Sequence, residues 1–359
     1  MTQRIWLMEG LSSQRDMILA IASFAKTRGA DVTIFASHRN ERNEILSLAD
    51  CAFLEPKDET ERLSFILTTV KTLGIHAIHA GRHGRWCENH RHEIESLGVK
   101  LTTGTVNVES LLIADDKVSF AHEMEKLGLA VVPSIRVSSV DELRQQIAAA
   151  PFSGAPLCVK PVTGIYGMGF WRFDESASPM AVFTHPERRV VAPEHYLHAL
   201  GLHALSEAGN FSPLVLMPYL PGPEYSVDML VEKGKVLAAV ARRKAGALQY
   251  LENSGEAYQL AIACAESMQA DGLVNVQTRH NDDSVPQLLE INMRPSGGIG
   301  YTRFSGVNLP GLFALRQLAL LSAQQVAELA AAAFEPATVR TITDVVRYQT
   351  TLSNRLQEG

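Results

Sequence analysis

Apolar runs alternate with amphipathic stretches over the first third of the chain. Residues 5–8 form an apolar run typical of a buried strand, and residues 16–28 have the periodicity of a helix that ends at Gly29. The run at 32–35 predicts a second strand, and the same order continues along this part of the chain. Strands that alternate with helices in this way form a parallel sheet. We therefore predict a Rossmann-like first domain over residues 1–113.

The pattern changes in the second third of the chain. Residues 116–128 predict an amphipathic helix, and residues 157–161 predict a strand that carries Lys160 near its end. A glycine-rich loop follows, before a return strand at 170–173, and a Pro-rich segment at 176–193 predicts a surface connection. This order predicts a β-hairpin whose tip holds Gly164, Gly167 and Gly169.

The stretch 287–295 places polar side chains on one face of a predicted strand. Because successive side chains of a strand alternate faces, Glu290, Asn292 and Arg294 share one face. Gln277 lies on a neighbouring predicted strand. Carboxylate and carboxamide oxygens suit Mg²⁺ that bridges a polyphosphate, and the planar fork of an arginine suits a phosphate or carboxylate. For this pattern taken alone, the alternative is a strand whose polar face meets water.

The composition is that of an ordinary globular protein. Of the 359 residues, 46% are hydrophobic and 20% are charged, which supports two or three packed subdomains. The net charge of -6 and the lack of a basic run give no electrostatic reason to expect a nucleic-acid partner. No apolar run reaches membrane-spanning length and no signal-peptide pattern opens the chain, so we expect a cytoplasmic protein with no membrane partner. The cysteines form no CxxC pair and predict small buried side chains at Cys51, Cys87, Cys158 and Cys264.

A nicotinamide cofactor is poorly supported by the first predicted domain. The turn at 9–13 that follows the first strand lacks the spaced glycines of a dinucleotide fingerprint. Several histidines lie within 76–92, but they have no repeated ligand spacing and do not predict zinc. An NAD-type oxidoreductase is therefore the weakest of the functional interpretations.

Five ordered segments resemble those of a known superfamily. They are Lys117, residues 159–161 with the glycine loop, residues 219–228, residues 275–277 and residues 289–295. In order and spacing they resemble the ATP-grasp superfamily, and in particular its carbamoyl-phosphate-synthetase-like group of carboxylate–amine ligases. This resemblance implies an α/β (α+β grasp) fold in which a Rossmann-like pre-ATP-grasp domain precedes a two-lobed ATP-grasp domain. The implied divisions are the pre-grasp domain at 1–113, a small lobe with the glycine-rich lid at 114–200, a large lobe with the metal and nucleotide site at 201–320, and a C-terminal helix and tail at 321–359.

The resemblance implies how the nucleotide would be held. Lys117 and Lys160 would contact the triphosphate, because a positive charge and close backbone N–H groups stabilise phosphate oxygens. The lid over it would be formed by Gly164, Gly167 and Gly169. The adenine hinge would be formed by Pro218, Tyr219 and Leu220. Families of this type commonly have an acidic residue where Pro218 stands, but this position acts chiefly through its carbonyl.

The resemblance also implies the metal ligands and the catalytic cations. Glu224 would accept hydrogen bonds from the ribose hydroxyls. The metal would be bound by Gln277, Glu290 and Asn292. Arg294, together with Lys160, would stabilise the transferred phosphoryl group and the acyl phosphate.

Further basic residues are weaker candidates for binding phosphate or substrate. Arg242 and Lys244 follow a predicted strand, at a place where the family often has a basic pair. Arg303 follows the metal strand, whereas Arg82 and Arg85 follow a strand of the first sheet, at the end where α/β proteins bind ligands. We expect Arg82 and Arg85 to face Arg303 around an anionic substrate group. The alternative is that these arginines lie apart and pair with nearby acids.

The implied function is an ATP-dependent ligase. Its cofactors would be ATP and Mg²⁺, with Mn²⁺ able to replace Mg²⁺, and its partners a small-molecule carboxylate and an amine whose identities stay open. A carboxylate is a poor electrophile, so ATP would phosphorylate it to an acyl phosphate that the amine attacks. The alternative is a regulatory subunit that binds nucleotide without turnover. A homodimer, through the first domain or the Ala-rich C-terminal helix, also stays open.

Overall fold

Two structural units share the chain. The computed structural model describes residues 2–10, 13–164, 167–206 and 211–348. The first unit combines Met1–Leu111, Pro223–Gln277 and Ile291–Gly359, and the second combines Leu112–Gly222 with Thr278–Glu290. The first boundary falls close to the predicted one at 113. The predicted large lobe at 201–320, in contrast, is divided between the units because the chain leaves the first unit and returns to it.

The first unit begins with a parallel sheet, as the alternation of strands and helices predicts. Its strands are β1 (Gln3–Leu7), β2 (Val32–His38), β3 (Cys51–Leu54), β4 (Ala77–His79) and β5 (Lys100–Thr102), in the order β3-β2-β1-β4-β5. The connecting helices are α1 (Gln14–Thr27), α2 (Asn43–Leu46), α3 (Arg62–Leu73), α4 (Gly84–Asn89) and α5 (Arg91–Glu95), with 3-10 turns at Glu59–Glu61 and Gly81–His83. Gly74 ends α3 in the left-handed conformation at φ +56°, which an L-residue with a side chain rarely adopts.

The rest of the first unit contains long antiparallel strands. After β6 (Gly104–Thr105) and α6 (Val108–Asp115), its later elements are β12 (Glu224–Glu232), β13 (Lys235–Ala245), β14 (Leu248–Glu252), α11 (Glu256–Ser267), α12 (Leu309–Gln317), α13 (Ala323–Ala333) and β17 (Ala337–Arg340), with a 3-10 helix at Ile299–Ser305. Strands β15 (Ala270–His280) and β16 (Pro286–Asn292) carry the chain across the unit boundaries. The sheet order is β16-β15-β12-β13-β14-β17, and β6 pairs with β15.

The second unit has a five-stranded mixed sheet with helices. Its elements are α7 (Lys117–Lys126), β7 (Ile135–Val137), α8 (Val140–Ala148), β8 (Leu157–Pro161), β9 (Trp171–Phe173), α9 (Ala181–Thr184), β10 (Val190–Val191), α10 (Pro193–Ser206) and β11 (Leu214–Pro218), and its strand order is β10-β9-β8-β11-β7. Strands β8 and β9 are antiparallel, which confirms the predicted hairpin. The segment 176–193 is more ordered than a plain surface connection, since α9, a 3-10 turn at Pro186–Arg188 and β10 lie within it.

The core of the first unit contains side chains from both its N-terminal and its C-terminal segments. Phe313 of α12 is fully buried in a cluster with Ile5, Ile18 and Ile34 from the first sheet and α1. Helices α1 and α12 approach closely, since a Cβ on Gly311 would lie 2.4 Å from the Cβ of Phe24. All four cysteines are free and buried, as predicted. Among the described residues, no helix is both long enough and apolar enough to span a membrane.

Phe313→Ala should destabilise the first unit by about 3–5 kcal/mol, because it removes a fully buried ring and leaves a cavity. The matched control is Phe183→Ala, since Phe183 is 74% exposed and its loss should change stability by roughly 0.5 kcal/mol or less. Urea unfolding of both variants measures the difference. Equal effects would show that Phe313 is not part of the core.

Candidate active site

Two buried lysines share one carboxylate in the second unit. Lys117 opens α7 and Lys160 lies near the end of β8, and only 8% and 9% of their surfaces are exposed. The Nζ atoms of Lys117 and Lys160 lie 3.9 and 3.8 Å from the same oxygen, Oε2 of Glu290. We call these three residues the lysine–glutamate cluster. The structure thus brings together two predicted phosphate ligands and one predicted metal ligand.

Local structure fixes each member of the lysine–glutamate cluster. The side chain of Asp116 accepts hydrogen bonds from the N–H groups of Val118 and Ser119, which caps α7 at Lys117. The Nζ of Lys117 also donates to the carbonyl oxygens of Val162 and Gly164, both at 3.2 Å. On β8, Lys160 is paired in register with β11. On β16, the backbone of Leu288 bonds to the segment at 130–132, which places Glu290 two residues farther along.

The lysine–glutamate cluster carries an excess of one positive charge. Burial lowers the pKa of Lys117, and the neighbouring Lys160 lowers it further, whereas Glu290, Asp115 and Asp116 oppose both effects. An anion beside the two ammonium groups would therefore be favoured, because it would relieve their mutual repulsion in a site with little water. This arrangement can hold phosphate oxygens.

The glycine-rich loop joins β8 to β9 beside this cluster. Gly167 and Gly169 have φ values of +60° and +73°, which side-chain-bearing residues rarely adopt. A Cβ on Gly169 would lie 2.7 Å from Cδ of Pro161, so this position also needs a glycine for space. Gly164, the third predicted lid glycine, presents its carbonyl to Lys117. Residues 165 and 166 of the predicted lid lie outside the described residues.

The predicted adenine hinge follows β11 and borders an apolar cluster of the second unit. The Sγ of Cys158 donates to the carbonyl oxygen of Pro218 at 3.7 Å, and the N–H of Tyr219 donates to Pro156 at 2.6 Å. Leu220 is buried in a cluster that includes Val132, Cys158, Val162 and Met217, with Leu289 packed against it. A thiol is a weak donor, so the Pro218 carbonyl remains a good acceptor for a stronger one. An apolar wall beside a backbone acceptor is suited to a flat heterocycle.

The other predicted nucleotide and metal residues lie in the first unit, and four of them form two hydrogen-bonded pairs. Lys244 donates a hydrogen bond to Glu224, the predicted ribose acceptor. Arg294 donates to Oδ1 of Asn292 at 3.1 Å and to the carbonyl oxygen of Pro295 at 3.3 Å. Gln277, on β15, is half-buried.

The predicted metal ligands have donor atoms that fit Mg²⁺. Glu290 and Asn292 are two residues apart on β16, so their side chains leave the strand on the same face. They offer a carboxylate and a carboxamide oxygen, and Gln277 offers a second carboxamide, which are ligands that Mg²⁺ and Mn²⁺ accept. The Glu290 side chain is 21% exposed, so its carboxylate is within reach of solvent.

Arg242 is placed differently from the expectation that it reaches substrate. It is 4% exposed, and its Nε donates to Asp228 at 2.7 Å. Its remaining nitrogens donate to Gln249, Ser226 and Ser296 at 2.8, 2.9 and 2.8 Å. A Cβ on Gly298 would lie 2.5 Å from the guanidinium. Arg242 therefore anchors the loop that follows Arg294, because a buried guanidinium must use its donors within the protein.

The other substrate arginines have separate neighbours in the first unit. Arg82 donates to the carboxylate of Glu9 at 3.0 Å. Burial raises the pKa of Asp16, and Arg303 opposes that rise, which places Arg303 beside a different acid. Arg85 and Arg303 are exposed. No common acidic partner among the described residues draws Arg82 and Arg303 together.

A polar cluster around Glu9 was not predicted from the sequence, apart from Arg82. Glu9 accepts from Arg39 and Arg82, while Glu55 accepts from the Glu9 N–H and from Ser37, both at 2.7 Å. Nε2 of His83 lies 3.0 Å from Oε2 of Glu55. Glu9 and Arg39 follow the carboxyl ends of parallel strands, as Arg82 does, and that position is the signal in the sequence that indicates them.

Comparisons with known proteins agree with the fold. A family model described as ATP-grasp in the biosynthetic pathway with Ter operon matches residues 210–345. No curated protein matches the sequence. The structure of purK, N5-carboxyaminoimidazole ribonucleotide synthetase, as its ADP complex, is similar with a TM-score of 0.63 and 17% identity, over 94% of this chain and 80% of that one.

Two further solved structures give the same result. The L-amino acid ligase from Bacillus licheniformis has a TM-score of 0.57 and 15% identity, over 88% of this chain and 75% of that one. Biotin carboxylase from Campylobacter jejuni, in a complex with β-γ-ATP, has a TM-score of 0.62 and 15% identity, over 91% and 73% of the two chains. The fold is therefore the ATP-grasp fold. The family model over residues 210–345 and the fold of these structures agree with the resemblance found in the sequence.

Lys160→Ala should weaken ATP binding by about tenfold or more, which is the loss expected when a charge-assisted contact to phosphate is removed. The control is Lys126→Ala on the exposed end of α7, where Lys126 pairs only with Glu123 at 3.1 Å. Isothermal titration with ATP and Mg²⁺ measures both affinities. An unchanged affinity of the Lys160 variant would contradict the phosphate assignment.

Proposed function

We propose that the chain is an ADP-forming, ATP-dependent ligase that joins a carboxylate to an amine or ammonia. The observation that carries this proposal is the lysine–glutamate cluster, in which two buried cations face one carboxylate on the predicted metal strand. The positive charge of this site would stabilise a bound triphosphate and the terminal phosphoryl group during its transfer. The same buried charges would be a costly feature of a protein with only a structural role.

The proposed reaction has two chemical steps. An oxygen of the substrate carboxylate attacks the γ-phosphorus of ATP, the bond from that phosphorus to the β–γ bridging oxygen breaks, and ADP leaves. The amine nitrogen then attacks the acyl carbon, inorganic phosphate leaves, and the nitrogen loses a proton. Both steps are balanced without an oxidant or a protein nucleophile.

The chain's residues would supply charge and position for these steps. Lys117 and Lys160 would hold phosphate oxygens, and the backbone of the glycine-rich loop would cover them. Arg294, which already contacts Asn292, would balance charge on the phosphoryl group in transfer. Mg²⁺ held by Glu290, Asn292 and Gln277 would neutralise phosphate charge when it is bound. Because ATP is the proposed donor, we also propose a cytoplasmic location.

The similar structures support the proposal by their activities. They include a carboxyaminoimidazole ribonucleotide synthetase with ADP, an amino acid ligase, and biotin carboxylases, one of them with MgADP and bicarbonate. This similarity does not identify the substrates of this chain, because the sequence identities are only 12–17%.

ADP release in the presence of ATP, Mg²⁺ and pools of small carboxylates and amines tests the proposed function. We expect release above the basal rate only when a pool supplies both substrates. A protein that binds ATP but releases ADP with no pool would instead fit the nucleotide-binding regulatory subunit. Splitting an active pool then identifies the two substrates.

Glu290→Ala should lower substrate-dependent ADP release by about a hundredfold or more, since it removes a metal ligand needed in the transition state. The fold should persist because Glu290 is half-buried and leaves the apolar layer of β16 intact. Glu123→Ala, which removes a partly exposed carboxylate of α7, is the control. Near-normal turnover of the Glu290 variant would remove this residue from the site.

A further inference from the structure

A second charged cluster lies in the first unit, at the carboxyl ends of its parallel strands. Glu9 follows β1, Arg39 directly follows β2, and Arg82 follows β4. We call these three residues the Glu9 cluster. The carboxyl edge of a parallel sheet is where open α/β folds bind ligands, since the strand ends and the loops that follow them surround a crevice there.

One buried carboxylate holds both arginines of the Glu9 cluster. The Glu9 side chain is 1% exposed, and its oxygens accept from Nε of Arg39 at 2.6 Å and from a terminal nitrogen of Arg82 at 3.0 Å. Burial alone would raise the pKa of Glu9, but the nearby His83, whose Nε2 lies 3.8 Å from Oε2 of Glu9, and hydrogen bonds from Arg39 and Arg82 hold it well below its usual value. Glu9 is thus an ionised anchor that orients two cations.

The backbone fixes Arg82 against Glu9 as well. The N–H of Arg82 donates to the carbonyl oxygen of Glu9 at 2.8 Å. Gly81 has a φ of +58°, and a Cβ there would lie 2.2 Å from that same carbonyl oxygen. Only a glycine therefore permits this approach, so the position of Arg82 is part of the fold.

The neighbouring acid, Glu55, is neutralised separately. Burial would raise its pKa, but hydrogen bonds and the charge of His83, together with Ser37, lower it. Burial would lower the pKa of His83, but Glu55 and Glu9 raise it above its usual value. Both buried carboxylates thus already have partners within the protein, since Arg39 and Arg82 contact Glu9 and His83 lies beside Glu55.

These contacts decide between an anion and a metal ion. Oxygens of Glu9 and Glu55 and a nitrogen of His83 lie within 4.8 Å of one another, which is close enough for a metal ion. However, a metal ion there would have to compete with two arginines for the carboxylate of Glu9. An anion on the exposed side of the two arginines would instead leave their contacts with Glu9 in place.

Both arginines can reach a ligand from this edge. The Arg39 and Arg82 side chains are 28% and 44% exposed, although the carboxylate that holds them is buried. No described residue accepts a hydrogen bond from Nε of Arg82. Gly81 and His79 line the same small cavity as Arg294, so this edge of the sheet lies near the proposed phosphoryl-transfer arginine within the first unit.

We propose that Arg39 and Arg82, held in place by Glu9, bind an anionic oxygen group of a substrate. That the bound anion belongs to a substrate rests on the proposed ligase function. The anion site then defines a substrate class, because one of the two substrates must carry a carboxylate or phosphate in addition to the group that reacts. Glu9 acts as a positioning residue, and the arginines make the contacts.

The test follows the Nε–H signal of Arg39 by nuclear magnetic resonance in protein labelled with ¹⁵N-arginine. The signal is identified by its loss in Arg39→Gln, and it should be sharp because Glu9 accepts from this group. Inorganic phosphate and acetate are titrated separately, at constant ionic strength and without ATP. We expect a saturable shift with at least one anion, and the more effective anion identifies phosphate or carboxylate as the recognised group.

Arg82→Gln should weaken the affinity reported by the Arg39 signal by about tenfold or more. Arg28→Gln, which changes an exposed arginine at the end of α1, should leave it unchanged. The proposal is overturned if neither anion shifts the Arg39 signal, or if both variants shift the affinity equally. Because this measurement needs no turnover, a shift without any ADP release would reject the ligase function alone, and ADP release without a shift would reject the anion site alone.

Discussion

A buried charged side chain must be paired with an opposite charge or with hydrogen-bond partners. This constraint applies to the charged clusters of both units. In the second unit, Lys117 and Lys160 are removed from water and share the carboxylate of Glu290. These three residues together carry one positive charge, which suits a polyphosphate. The helix cap at Asp116 and the register of β8 are the local features that hold the lysines close to that carboxylate.

The first unit contains two sets of paired charges that differ in exposure. Arg242 donates hydrogen bonds to Asp228, Ser226 and other partners within the protein. Its charge therefore stabilises a loop and is not available to a ligand. The Glu9 cluster instead places two arginines on one buried carboxylate and keeps both partly exposed. The difference between an internal anchor and a proposed binding site therefore lies in the exposure of the arginines, which the sequence does not reveal.

The sequence predicted what depends on periodicity and on local order. The alternation that predicts β1, α1 and β2, and the hairpin around the glycine loop, need only neighbouring residues, and the structure confirms them. The sequence could not give the division into units, because the chain leaves the first unit at Leu112 and re-enters it at Pro223. It also missed the Glu9 cluster, whose members are brought together by the order of strands in the sheet. The roles of the ATP-grasp residues came from the resemblance, and they stay predictions.

The central claim is that Glu290 balances the two lysines until nucleotide and metal are bound together. Titration of ATP by calorimetry, with Mg²⁺ or with EDTA, into the parent protein and Glu290→Ala tests it most directly. The account predicts that Mg²⁺ strengthens ATP binding to the parent by about tenfold or more. It also predicts that in EDTA the Glu290 variant binds ATP more tightly than the parent, because the lysines have lost their internal anion. Weaker binding of the variant in EDTA, or no effect of Mg²⁺ on the parent, would contradict the account.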